Sequence, residues 1–277
     1  DFFDVKDGTD EANTEYFNAG LNSTVLEGAQ LSGGSRAIEL GLISLPGTLS
    51  LARKMLFSAF LIASALLINT YFVTGEFSNA TNALIIGILG GLLGYFYTAR
   101  PIRLASRRGL GEIAVFLAFG PLLTLGAYFA IASSTIELFS KEFFNAIYLG
   151  IPFGFLTTNI LFINQFPDAV GDAKTGKNHL VVTYGKKFSR WIYLFFLISA
   201  FISSFFLADL FKGNLIYFNE TAFLIGNGLL FLYGLSAFIN LFKNYNSRDL
   251  IFSNLKTIYL QIFFGLFYVI ILNFFFI

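Results

Sequence analysis

Seven apolar runs, each near the ~20 residues that a helix needs to cross the hydrocarbon of a bilayer, constrain this chain more than any other feature. They cover 55–73, 83–99, 112–134, 142–163, 191–209, 221–242 and 257–277. Strands of a membrane barrel would alternate apolar and polar residues over about 10 positions. These runs are apolar on every side, so the expected fold class is all-α, a polytopic membrane helical bundle. Charged residues make up only 13% of the 277, against about 25% in soluble domains. No long linker or soluble appendage interrupts the pattern, and 1–277 is read as one membrane domain.

The net charge of +1 decides little, but its distribution decides orientation. If 1–54 is cytoplasmic, the loops at 100–111, 164–190 and 243–256 share that side. It then holds sixteen of the eighteen Lys and Arg residues, with Lys141 and Lys212 opposite. Cytoplasmic loops carry the Lys/Arg excess, so the expectation is an integral protein of the inner or plasma membrane whose polar motifs face the cytoplasm. Membrane lipid is an expected partner and nucleic acid is not. With no cysteine, disulfides, thiolate ligands and cysteine nucleophiles are all ruled out. A passive pore would need polar residues through the bilayer core. The few found there, Asn145, Asn159, Asn227 and Gln261, read as interhelical hydrogen-bonding groups.

Chemistry gathers at the polar ends. Asp168-Ala-Val-Gly-Asp172 follows the fourth run and is itself followed by Lys174 and Lys177. On a helix, carboxylates four residues apart share a face, with Cβ atoms roughly 5–6 Å apart. Such a pair at the rim of a bilayer is costly unless a positive charge sits between. Pro167 is expected to break the helical ladder just before it. A second acidic segment opens the chain, with Asp1, Asp4, Asp7 and Asp10 around Lys6, until Gly8 ends the regular stretch. Two acidic clusters on one side suggest Mg²⁺, which favours carboxylates, water and phosphate oxygens, holding an anionic substrate such as a diphosphate. The alternative is a pair of solvated acidic segments balanced by Lys174 and Lys177. Arg36 lies in Ser32-Gly33-Gly34-Ser35-Arg36, which is either a plain turn or a phosphate cradle. Arg100, Arg103, Arg107 and Arg108 suit lipid headgroups, with one of them within reach of substrate. His179, the single histidine, receives no role. A cation-coupled transporter would place ionisable groups near mid-membrane and show internal repeats; here the acids sit at helix ends.

On these residues the chain resembles the UbiA superfamily of intramembrane aromatic prenyltransferases. Members carry N-D-x-x-D with a further acid downstream, and later D-x-x-x-D. Asp1-Phe2-Phe3-Asp4 stands where the first motif would, without its Asn, with Asp7 or Asp10 as the further acid; Asp168 and Asp172 form the second. The family has nine transmembrane helices, the first motif closing the second. Seven of the expected nine follow here, so the chain reads as truncated at its N-terminus. Tyr97-Thr98, Arg108-Gly109-Leu110-Gly111-Glu112, Phe119-Gly120-Pro121 and 168–177 are most similar to the 1,4-dihydroxy-2-naphthoate polyprenyltransferases of menaquinone synthesis. One departure is Asn164-Gln165-Phe166-Pro167, where that branch often has Asn-Asn-x-Arg. It leaves 4-hydroxybenzoate, homogentisate, a chlorophyllide or an archaeal lipid open as acceptors.

The resemblance implies Mg²⁺-dependent transfer of a polyprenyl group from polyprenyl diphosphate to an aromatic acceptor. Asp1, Asp4, Asp7, Asp10, Asp168 and Asp172 would be metal ligands, with Asp1, Asp4, Asp168 and Asp172 central to catalysis. Arg36, Lys174, Arg103 and Lys6 would meet the diphosphate. Tyr97 and Asn164 would position the ring, and the Tyr97 face would also stabilise an allylic cation.

Overall fold

The computed structural model describes residues 2–9, 37–38, 41–214 and 219–273. The expectations placed on Asp1, Asp10 and Arg36 lie outside the described residues. Among those described, all regular structure is helical, and seven spans are long and apolar enough to cross a membrane.

A short helix α1 (Phe2–Lys6) carries the first acidic motif, and Gly8 turns the chain away at φ +74°. Helix α2 (Leu45–Thr74) starts where the Ser44 hydroxyl accepts the Gly47 N–H and Pro46 fills the first turn, a position that needs no donor. It stops at Gly75 in the left-handed region, the usual device for releasing a helix end. Helix α3 (Ser78–Thr98) returns. The third span is two pieces, α4 (Leu110–Phe119) and α5 (Pro121–Ile131), broken at Gly120-Pro121 because proline has no N–H to continue the ladder. Helix α6 (Lys141–Lys174) is capped by Ser140. Helix α7 (Leu180–Asn214) is interrupted at Gly185, and α8 (Glu220–Asn244) and α9 (Leu250–Asn273) complete the bundle.

All seven apolar runs become spans, but the helices outlast their apolar stretches. The inner-side segment 164–190, with Asp168 and Asp172 expected on a continuation of the preceding helix, is helical apart from 175–179 and the kink at Gly185. Pro167 does not end α6, nor does Pro152. An internal proline costs about 3 kcal/mol, and here it is offset by packing: Phe162, Ile163 and Phe166 around it are fully buried.

Helix α6 is the pillar of the fold. It packs against α4, α5, α7 and α9, and half of its most apolar stretch is buried, against 6% for α2 and for α3. At its crossing with the α4–α5 break, backbone meets backbone. A Cβ on Gly150 would lie 2.5 Å from backbone atoms of Gly120, and one on Gly154 would lie 2.7 Å from the Phe116 carbonyl. Small residues four apart allow such approach, and dispersion between backbones then drives association in lipid. Three of the four polar groups expected to hydrogen-bond between helices, Asn159, Asn227 and Gln261, do so. Asn159 Nδ2 donates to the Tyr193 carbonyl at 3.3 Å, Ser204 bridges Asn227 and Tyr268, and Gln261 Nε2 donates to Thr157 Oγ1 at 3.2 Å.

The loops after α3, α6 and α8 gather with α1 at one end of the bundle, where Arg190 lies between the rings of Phe242 and Tyr245 at 4.1 and 4.4 Å. At the other end Asn79 links its helix to the segment after α5, donating to Ser134 O and accepting from Ile136 N, both at 2.9 Å.

Candidate active site

The last two turns of α6 carry Asp168 and Asp172. Helix α6 ends because Gly176 takes φ +73°, and the Lys177 N–H then bonds back to the Asp172 carbonyl at 2.9 Å. This tight turn brings His179, seven residues on, under the second acid. His179 Nε2 lies 3.1 Å from Asp172 Oδ2, and both side chains are buried. The Val182 N–H donates to His179 Nδ1 at 3.4 Å. An Nδ1 that accepts assigns the proton to Nε2, so a neutral imidazole donates to the carboxylate. Lys177 Nζ is 3.8 Å from the same oxygen. Asp168 interacts electrostatically with Lys186, just beyond the Gly185 kink.

The first motif docks on the loop after α3. Asp7 Oδ1 accepts from Arg100 Nη2 at 3.0 Å, and Asp7 Oδ2 lies 3.3 Å from Arg103 Nε. Arg103 also donates to Thr9 Oγ1 at 3.3 Å. Asp7 is thus engaged by two guanidinium groups, and Arg103 faces it. Phe3 packs edge-on against Tyr95, anchoring α1 to the end of α3.

Tyr97 stands in the last turn of α3, with Glu112, Asp4 and Asp172 as charged neighbours of its hydroxyl. Below Tyr97 opens an apolar chamber of about 340 Å³, walled by Leu93, Val115, Thr157, Ile160 and Leu161. Ala118 lines both this chamber and a larger one of about 590 Å³ bounded by α2, α3 and α5.

Other expected residues fall less centrally. Lys6 is exposed, and Lys174 is exposed in the final turn of α6. Asn164 uses its Oδ1 to accept from Asn254 Nδ2 at 2.7 Å, linking α6 to α9. Among the described residues no three His, Cys, Asp or Glu side chains form a group that could hold a metal ion by themselves. Mg²⁺, however, typically takes one or two carboxylates with water and substrate phosphates rather than a cage of protein ligands. Asp4 on α1 and Asp172 on α6, both charged neighbours of the Tyr97 hydroxyl, are the carboxylates on which such an ion would draw.

Sequence reasoning passed over two residues. His179 carries no signal of its own, since its contact exists only through the Gly176 turn. Glu112 did carry one: an acid opening an apolar span is costly and points to function. It is buried in the first turn of α4, and its Oε1 accepts from Gln165 Nε2 at 3.1 Å and from the Leu180 N–H at 3.2 Å. One carboxylate therefore ties α4, α6 and the start of α7, where a negative charge suits the helix dipole.

Residues 45–253 match the UbiA prenyltransferase family. The chain is 30% identical over 184 residues to the UbiA prenyltransferase domain-containing protein 1 of Dictyostelium discoideum, covering 66% of this chain and 50% of that protein. It is 36% identical over 109 residues to the chloroplastic 2-carboxy-1,4-naphthoquinone phytyltransferase of Arabidopsis thaliana, covering 39% of this chain and 28% of the relative. The 2-carboxy-1,4-naphthoquinone phytyltransferase of Synechocystis is 31% identical over 110 residues, 40% of this chain and 33% of its own length. The chain thus spans half or less of the length of these relatives. No solved structure shows a significant match.

Proposed function

The chain belongs to the UbiA prenyltransferase family, and from that premise we propose that it transfers a polyprenyl group from its diphosphate to an aromatic acceptor with Mg²⁺ as cofactor. The observation that carries this reading is the position of Tyr97, acted on by Asp4 from α1 and Asp172 from α6 at the mouth of an apolar chamber. The acceptor we favour is 1,4-dihydroxy-2-naphthoate, in menaquinone synthesis. Two relatives named for a carboxylated naphthoquinone, together with the sequence motifs, support it. The Lys/Arg excess of the loops at this end supports a cytoplasmic site.

The difficult step is heterolysis of an allylic C–O bond, which leaves negative charge on diphosphate and positive charge on carbon. Asp4, Asp168 and Asp172 would hold Mg²⁺, which supplies charge stabilisation to the departing diphosphate. Lys177 and Lys186 add fixed positive charge beside Asp172 and Asp168, and Arg100 and Arg103 add it beside Asp7. Tyr97 presents a π face where the cation forms, an attraction worth about 2 kcal/mol when desolvated. The apolar chamber keeps water from capturing that cation. Because Ala118 lines both chambers, a long chain could run from Tyr97 towards lipid between α2 and α3.

His179 has a defined part in this scheme, donating Nε2–H to Asp172 Oδ2 and so holding that carboxylate in orientation. Outer partners of this kind are worth 10–100-fold in metal affinity or activity. His179→Ala is expected to raise the Mg²⁺ concentration for half-maximal transfer by about tenfold, and His179→Gln, which keeps a donor, to restore most of it. Equal Mg²⁺ requirements in wild type and the Ala variant would remove His179 from the site.

The function itself is tested by incubating membranes containing the protein with Mg²⁺, a labelled polyprenyl diphosphate and a panel of aromatic acids, and identifying products by mass. A prenylated naphthalene is the expected product. Prenyl transfer to none of the panel would overturn the reading.

A further inference from the structure

Two apolar cavities follow one another along a single face of α3. Ala83, Gly87 and Gly90 line the cavity of about 590 Å³, and Gly94 and Tyr97 line the chamber of about 340 Å³. Residues three and four apart share a helix face, so both spaces lie against the same side of α3. The facing wall changes in step. Ala114 and Ala118 line the chamber, while Ala118, Leu122 and Gly126 line the larger cavity. Ala118 is the wall that the two have in common, and it is half-buried.

The passage is roomy and without polar lining. A Cβ added at Gly87, Gly90 or Gly94 would meet nothing within 4 Å. Tyr97 and Thr157 carry the polar side chains of the chamber, and hydrocarbon or glycine lines the larger cavity throughout. An ion or a polar solute would lose its hydration there for nothing. A flexible hydrocarbon entering from the Tyr97 end would not. From Ala83 to Tyr97 the helix rises about 21 Å at 1.5 Å per residue. A methylene-sized group fills roughly 30 Å³, as a water does in the liquid, which makes about 150 Å³ for the five carbons of an isoprene unit. On that scale the chamber takes about two units and the larger cavity about four more.

We infer that Ala118 governs which donors are accepted: the two isoprene units next to the diphosphate lie in the chamber below Tyr97, and any longer tail passes Ala118 into the space bounded by α2, α3 and α5. This deepens the prenyl-transfer reading and rests on it. Ala118 acts by exclusion. Lipid solvates a prenyl tail as well as the cavity does, so enclosing more of it adds little affinity. A tail that meets a closed wall, by contrast, must fold back or leave the chamber. A methyl side chain keeps the passage open, and a ring in its place would close it. Ala118 meets the tail rather than the reacting carbon, so its part is in specificity.

The test uses membranes containing the full chain, with Mg²⁺, 1,4-dihydroxy-2-naphthoate and either geranyl diphosphate, of two units, or geranylgeranyl diphosphate, of four. In wild type kcat/KM for the two donors should agree within about tenfold. Ala118→Phe should lower the geranylgeranyl-to-geranyl ratio by at least about tenfold. The loss should fall on the KM of the longer donor, because the obstruction acts on binding before chemistry. Gly90→Leu projects into the larger cavity one turn from Gly94 and should move the ratio the same way, which keeps the test open if Ala118→Phe does not fold. Leu117→Phe adds a ring one residue away, on a face that lines neither cavity, and should leave the ratio as in wild type. A ratio that neither Ala118→Phe nor Gly90→Leu moves, or that Leu117→Phe lowers equally, overturns the inference. So does a wild type that rejects geranylgeranyl diphosphate while using geranyl diphosphate. In each of these cases prenyl transfer itself stands and only the role of Ala118 falls. If wild type transfers neither donor to any acid of the panel, the function proposed above fails first.

Discussion

Asp172→Asn should lower Mg²⁺-dependent prenyl transfer by on the order of 10²–10³-fold, with the protein still inserted and monodisperse in detergent. The expectation rests on what surrounds that carboxylate. One oxygen is taken by the neutral His179 and lies near Lys177, and both stay paired with an amide oxygen of the same shape. What the variant loses is the negative charge, and charge is what a divalent ion and its diphosphate require. Asp168→Ala should behave similarly, leaving Lys186 without the acid it interacts with. Transfer is read by label incorporation in membranes, and folding by size-exclusion profile. Activity near wild type in either variant would remove the metal-holding role from the second motif.

A different kind of damage should follow from Gly150→Ala. Its new methyl would sit 2.4 Å from Thr124 Oγ1 and 2.5 Å from the Gly120 backbone, where nothing flexible can give way. Overpacking at a buried contact costs about 3 kcal/mol, or a fall on the order of 10 °C in the thermal midpoint. Gly154→Leu, aimed at the Phe116 carbonyl, should leave little folded protein to measure. Gly87→Ala is the control: a Cβ there meets nothing within 4 Å, and its effect should be within about 0.5 kcal/mol of zero. A Gly150→Ala protein melting with wild type would show that the α5–α6 crossing is looser than drawn.

The spans were legible in the sequence because hydrocarbon imposes a single test, enough consecutive apolar residues, and each run passes it. Their ends were not. Helix α6 continues through Asn164, Pro167 and Asp172 because Phe162 and Phe166 are packed by other helices, a tertiary fact that no local pattern carries. The break at Gly120-Pro121 was visible as a dipeptide, but its close seat against Gly150 and Gly154 was not. The D-x-x-x-D spacing announced its own helix face. Asp7 did not announce that Arg100, 93 residues away, would claim it, nor did Asn164 reveal its partner Asn254, 90 residues away. Glu112 was legible in principle, and it was read as the start of an apolar run rather than as a charge at its rim.

The uneven seating of the helices has a consequence for how the chain tolerates change. Along α2 and α3, 6% of the most apolar stretch is enclosed by the described residues, and a fluid surrounding would reshape around whichever greasy side chain is offered. Along α6 the neighbours are other helices, fixed in place, and they cannot. Swapping Leu for Phe on the outer hairpin should therefore pass unnoticed, while the same exchange at Leu156 should be felt along the rod that carries Asp168.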